Sequence, residues 1–264
     1  MTFNTLPSRF SHLEKAARNY VAKQKALKQN PDEAGEERGP GSRNDKSQTI
    51  VFAKGKSLVA YNPQTNTTSP IIEDWGRCFN SLTYSENNLY ASYSNGKNIQ
   101  AVVPLPSMRD LGFESDYLFL ERLNGLPVAG MSRQGKYYVY HLEEDSSDFE
   151  TNKNDIFDDI TNNKGEALSI ARIENTNGDR IENKNTGEVI FASPYSISHV
   201  IPCNDNLYAL LRRRKYGKKR FFELHKIEED SNIPGIPLLE GRGWINDIVS
   251  VPQTLVDKIL EAKK

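Results

Sequence analysis

The chain has 264 residues, with 34 Lys and Arg against 35 Asp and Glu, and a formal net charge of −1. That balance argues against a wholesale cationic nucleic-acid binder, while 37% hydrophobic and 26% charged residues describe a polar globular protein rather than a disordered chain. The length suits one medium domain or two small ones, and the two cysteines match neither a zinc-ligand nor a redox spacing.

Residues 1–29 read as a basic amphipathic helix. Ser11 followed by Glu14 makes a capping box, and Leu13, Ala17, Tyr20, Val21 and Leu27 roughly keep helical spacing. Lys15, Arg18, Lys23, Lys25 and Lys28 make it basic, which leaves two roles open: a solvated helix on the domain, or a targeting or membrane-surface helix. No apolar h-region is present here, so secretion is not expected and a cytoplasmic location is. Residues 30–47 contain no large apolar side chain and read as a flexible linker. Residues 48–264 then form one β domain closed by a short helix. The longest charge-free run, Val189 to Asn204, holds Pro194, His199 and Pro202 and is no membrane span.

Within the β domain an internal repeat recurs. An apolar–x–x–apolar strand start appears at Phe79–Leu82, Val128–Met131, Ile197–Val200 and Ile245–Ile248, at spacings of 49, 69 and 48 residues. After the first three comes a second strand, Leu89-Tyr-Ala91, Tyr137-Tyr-Val139 and Leu207-Tyr-Ala209. A third follows, Ile99–Val103, Ala167–Ile173 and Phe221–Ile227, then a fourth, Tyr117–Leu120, Glu188–Ala192 and Ile236–Leu239. After Ile245–Val251 only a helix follows, Thr254 to Leu260, with Thr254 and Asp257 as a capping box. The strands missing from that last unit stand at its other end: Ile50–Ala53, Ser57–Asn62 and Ser69–Glu73. The last strand therefore completes the first blade, and closure removes exposed sheet edges.

This repeat resembles the β-propeller repeat proteins over residues 48 to 252, in architecture only. The resemblance implies an all-β propeller of four four-stranded blades, or five if the 69-residue spacing conceals a degenerate blade. A β-sandwich, or two small β-domains, is the competing architecture. No Gly-His…Trp-Asp pair, double-glycine kelch mark or Asp-box selects a family within the class.

In a propeller, the loops before first strands and those between second and third strands open on one face. Trp75 and Trp244 precede first strands, and they serve either as exposed platforms or as blade packing. The connection Arg212-Arg213-Arg214-Lys215-Tyr216-Gly217-Lys218-Lys219-Arg220 opens there too, with seven cations in nine residues. It can neutralise phosphate, with Tyr216 stacking on a base, or it is a solvated hairpin. Glu143–Asp159, with eight acids and one lysine, reads as an acidic insert on the same face, screening that hairpin; its acids are too spread for a calcium loop. Asn175–Asp179 is only a fragment of a calcium pattern.

The search for chemistry finds no zinc-type histidine pair among His12, His141, His199 and His225, no Gly-x-Ser-x-Gly elbow and no phosphate-binding glycine loop. His199 and Asp247 fall in first strands. There a histidine is ordinarily a satisfied core residue, and one carboxylate is not the pair that glycoside hydrolysis needs. Cys78 and Cys203 read as buried thiols that pack as small hydrophobes. No catalytic residue, metal site or cofactor is expected. The role expected is a non-catalytic scaffold whose loop face binds another macromolecule, a protein first of all. The alternatives are polyanion or nucleic-acid binding through Arg212–Arg220, and a glycan-binding or glycan-cleaving propeller.

Overall fold

The computed structural model describes residues 47–263 apart from 95–98, 124, 134–135, 145, 152–159, 163, 175, 216–218 and 229–232. The expected basic helix and nearly all of the linker lie outside the described residues.

Among the described residues nineteen strands build five antiparallel sheets. β1 (Gln48–Lys54), β2 (Ser57–Asn62) and β3 (Thr67–Ile72) give three strands of the first blade, and β4 (Phe79–Tyr84), β5 (Leu89–Ser94), β6 (Ile99–Leu105) and β7 (Leu111–Glu114) the second. The third blade is β8 (Tyr117–Leu123), β9 (Leu126–Arg133), β10 (Lys136–His141) and β11 (Ser146–Thr151). The fourth has three strands, β12 (Leu168–Arg172), β13 (Asp179–Asn183) and β14 (Val189–Ser193). The fifth is β15 (Ser196–Cys203), β16 (Asn206–Lys215), β17 (Lys219–Ile227) and β18 (Leu239–Arg242). β19 (Asp247–Pro252) then pairs with β1, from Gln48 against Pro252 to Ala53 against Asp247, and completes the first blade. β19 packs against β4 on one side and β15 on the other, and β4 packs against β8. The arrangement is a five-bladed β-propeller.

The physical reason is visible in β1. Ile50 to Ala53 are all at most 1% exposed, because alternate side chains leave opposite faces of the sheet and both faces are covered. Val51 and Ala53 join Phe79, Leu82, Leu89 and Ala91 of the second blade, while Ile50 and Phe52 join Ile201, Tyr208, Leu210, Phe222 and Leu224 of the fifth. Further buried clusters unite the second blade with the third and the fourth with the fifth. Two-sided burial turns an alternating strand into a continuous apolar run, which is why Val51-Phe52-Ala53, Leu89-Tyr90-Ala91 and Leu207-Tyr208-Ala209 look alike and all occupy second strands.

The count of four blades gives way to five. The 69-residue spacing holds the three-stranded fourth blade, as the degenerate-blade alternative required. Several strand assignments shift with it: Tyr137–Val139 lies in a third strand instead of a second, and Ala167–Ile173 and Glu188–Ala192, expected as third and fourth strands of one unit, hold the first and third strands of the fourth blade. Tyr117–Leu120 opens the third blade instead of closing the second, whose outer strand is the short β7. Val128–Met131 accordingly lies in a second strand. Ser146–Thr151, expected within a loop insert, is an outer strand paired with β10.

The closing helix α1 (Gln253–Glu261) buries Leu255, Val256 and Ile259 in the cluster between the first two blades. Its expected capping box does not form. The helix starts behind Pro252, which offers no capping side chain, and the Gln253 amide instead donates to the Ser47 carbonyl at 2.9 Å. Cys203 is buried as expected, whereas Cys78 is exposed.

Candidate functional site

The hairpin of β16 and β17 divides its charges. Strand alternation, with Arg212 opposite Phe222 and Arg213 opposite Phe221, sends neighbouring arginines to opposite faces of the blade. On one face the Arg212 and Arg220 guanidiniums lie over the Trp244 ring, at 5.2 and 3.9 Å from its centroid. Arg212 also donates to the Ile245 carbonyl at 3.0 Å, and the Gly243 amide donates to the Arg220 carbonyl at 2.9 Å, which anchors the Trp244 loop to the hairpin. Lys54, at the end of β1, holds its ammonium 5.3 Å from the centre of the Phe222 ring and extends the patch to the first blade.

The electrostatics of this patch are one-sided. Among the described residues no carboxylate forms an ion pair with Lys54, Arg212 or Arg220. Burial pulls the Arg212 pKa below its ordinary value, and the charge of Asp247 opposes that shift. Its buried Nε has no hydrogen-bond partner among the described residues. Two guanidiniums thus cover a half-buried indole with Lys54 on the neighbouring Phe222 ring, and among the described residues only the charge of Asp247, acting on Arg212 without an ion pair, offsets them, an arrangement that favours an anionic group arriving from outside.

The other expected site residues are scattered. Arg213 turns to the opposite face, where it donates to Glu223 at 2.6 Å and lies over the Tyr195 ring at 4.9 Å. Trp75 is packing: its ring meets Phe79 at 6.1 Å and Tyr93 at 6.0 Å, and its amide donates to the Lys56 carbonyl at 2.9 Å. Tyr216, Gly217 and Lys218 lie outside the described residues, as do the side chains of Arg214, Lys215 and Lys219. Most of the acidic insert lies outside them too. Lys54, which joins the patch, was legible only as part of a neighbouring loop.

The first-strand residues His199 and Asp247 meet as a clasp. His199 Nε2 sits 3.1 Å from Asp247 Oδ1, and Asp247 Oδ2 accepts the Leu82 amide at 2.7 Å, which links β15, β19 and β4. Ser198 Oγ lies 3.1 Å from His199 Nδ1, yet its hydroxyl donates to the Leu210 carbonyl at 3.1 Å. Asp179, in the fragmentary calcium pattern, repeats the clasp: its carboxylate accepts from Ser196 Oγ and the Ile197 amide, both at 2.9 Å. The preceding Gly178 is set by packing, since a Cβ there would stand 2.2 Å from the Ser193 carbonyl oxygen.

No protein-family model and no curated protein matches the chain. Among solved structures it is similar to a chain of a nidogen/laminin complex, at 8% identity and a TM-score of 0.40, covering 77% of this chain and 98% of that one. It is also similar to a protein of unknown function from Bacteroides caccae, at 10% identity and a TM-score of 0.29, covering 70% of each chain. A third similarity is to Hsv2 of Kluyvelomyces marxianus, at 12% identity and a TM-score of 0.28, covering 72% of this chain and 62% of that one. The five-bladed arrangement stands on the sheets of this chain themselves. No helix among the described residues is long and apolar enough to cross a membrane.

Proposed function

We propose that the chain is a non-catalytic propeller platform whose loop face binds an acidic segment of another protein. The observation that carries this reading is the gathering of Lys54, Arg212 and Arg220 around Trp244 and Phe222, with no ion-paired carboxylate among the described residues. An aromatic ring flanked by arginines is the composition of an interface anchor. Carboxylates engage such guanidiniums bidentately, and the guanidinium is more weakly hydrated than an ammonium. The split of the hairpin supports protein over nucleic acid, because Arg213 is spent on Glu223 and a phosphate backbone needs a longer cationic track. A cytoplasmic location belongs to the same reading and is supported by two free thiols.

The test is capture of partners by the full chain with and without nuclease, beside a Lys54→Glu/Arg220→Glu double variant whose fold is checked by circular dichroism. Partners that survive nuclease and are lost with the double variant support the proposal. Partners lost with nuclease move the function to nucleic acid, and partners indifferent to the double variant remove the patch from it.

A further inference from the structure

The opposite face of the fifth blade carries a second, independent feature. Where β14, the last strand of the three-stranded blade, comes beside β17, a cleft of about 500 Å³ opens, bounded by Tyr195, Arg213, Glu223, His225, Pro234 and Glu240. That volume is in the range of small-molecule sites. The cleft contains two deeply buried ionisable side chains, Glu223 at 6% exposure and His225 at 2%. Buried groups of this kind are ordinarily fully paired, and here the pairing is incomplete.

Glu223 holds the centre. One carboxylate oxygen accepts from Arg213 at 2.6 Å and the other lies 3.3 Å from His225 Nε2. A carboxylate only accepts, so it fixes the proton of the neutral ring on Nε2 and makes Nδ1 an acceptor. That Nδ1 is buried and has no hydrogen-bond partner among the described residues. The charge is unbalanced as well. Glu240 on β18 stands directly opposite Glu223 in the ladder, a like-charge cross-strand pair of the kind that destabilises a sheet. Among the described residues one guanidinium faces two carboxylates, and one negative charge and one lone pair are left without a partner, beside apolar walls from Pro234 and its neighbours.

We propose that this cleft is a binding site for a small organic cation, an ammonium group on a compact apolar body. The ammonium donates to His225 Nδ1 and offsets Glu240, while the body lies against the proline-lined wall. The site is separate from the Trp244 patch, so it stands or falls without the scaffold reading.

The test uses benzylamine, benzyl alcohol and benzoate as probes, titrated into the full chain while the imidazole ¹⁵N resonances of His225 are followed. Benzylamine is expected to shift Nδ1 saturably and to bind more tightly than the alcohol, with benzoate leaving the signal unmoved. Glu240→Gln, at an exposed position, should weaken benzylamine by up to about five-fold, the worth of a surface ion pair. His225→Phe should weaken it by about ten-fold or more. An unmoved Nδ1 with benzylamine overturns the proposal, as does equal binding of the alcohol or preferential binding of benzoate. Undiminished affinity in folded Glu240→Gln protein overturns it too, whether or not His225→Phe folds.

Discussion

Trp75 and Trp244 stand at matching points of the repeat, each a few residues before an innermost strand, and they do different work. Trp75 turns onto the blade that follows it, where Phe79 and Tyr93 supply aromatic edges. Trp244 turns back onto the blade before it, where Arg212 and Arg220 supply cations. The repeat therefore sets where the indole sits, and the partner hairpin sets what the indole is for. Around Trp244 the structural duty passes to its neighbours, since the Asn246 amide donates to the Ala53 carbonyl at 2.8 Å and Asp247 clasps His199 and the Leu82 amide.

The sharpest way to break this comparison is to truncate both rings. Trp75→Ala should lower stability by about 3 kcal/mol, the lower end for a large aromatic removed from a packed cluster. Trp244→Ala should cost about 1 kcal/mol, in line with exposed cation–π contacts, and should abolish partner binding. Denaturant unfolding of the two variants checks this, and equal losses would erase the distinction. Asp247→Ala comes next, at about 2 kcal/mol, because it strands the buried Leu82 amide. A loss below the scatter of the measurement would show that the clasp between β15, β19 and β4 holds nothing.

The first, second and fifth blades were legible because burial on both faces writes a continuous apolar run, and the Ala of Val51-Phe52-Ala53 and its two counterparts marks the point of closest packing. The third and fourth were not, for physical reasons. β7 is four residues long and half exposed, so it gave no strand signal, and Tyr117–Leu123 was absorbed into the wrong blade. In the fourth blade Ile170 and Val189 are each 37% exposed, which weakens the pattern. The cationic patch was legible in part, since Arg212, Arg220 and Trp244 stand out by residue type, whereas the contribution of Lys54 depends on the first and fifth blades being neighbours. The Glu223–His225 cleft was invisible, because it rests on the register that sets Glu223 opposite Glu240 and on one blade being a strand short.

Alkaline pH separates the two regions more gently. Burial, and then the hydrogen bond to Asp110, push the Tyr93 phenol up to about 12, and burial does the same to Tyr208. Burial also raises the Cys203 thiol to about 11. A raised acid favours its neutral form in the folded state. The stability it lends is fully present below the ordinary value of the group, near 9 for the thiol and near 10 for the phenols, and is lost as pH climbs through the raised values, about 11 and about 12. Unfolding free energy should accordingly be flat up to about pH 9 and fall between about 9 and 12, the larger part above 10 with delayed phenolate absorbance. In Tyr93→Phe that fall should shrink, while partner binding at neutral pH stays unchanged. A fall of unaltered size would detach Tyr93 from the alkaline transition.

The smallest effect tests whether Arg220 merely decorates the surface. It is exposed, so Arg220→Ala should change stability by no more than about 0.5 kcal/mol. Yet its guanidinium lies 3.9 Å from the Trp244 centroid, close enough to cover one side of the ring. Removing it should open the indole to a neutral collisional quencher such as acrylamide. The chain has two tryptophans, so a Trp75→Phe background isolates Trp244 and a Trp244→Phe background isolates Trp75. Arg220→Ala should raise quenching in the first and leave the second unmoved. If both rise, the substitution has loosened the fold. If neither does, Arg220 does not shield the ring, and the patch loses the contact that sets Trp244 apart from Trp75.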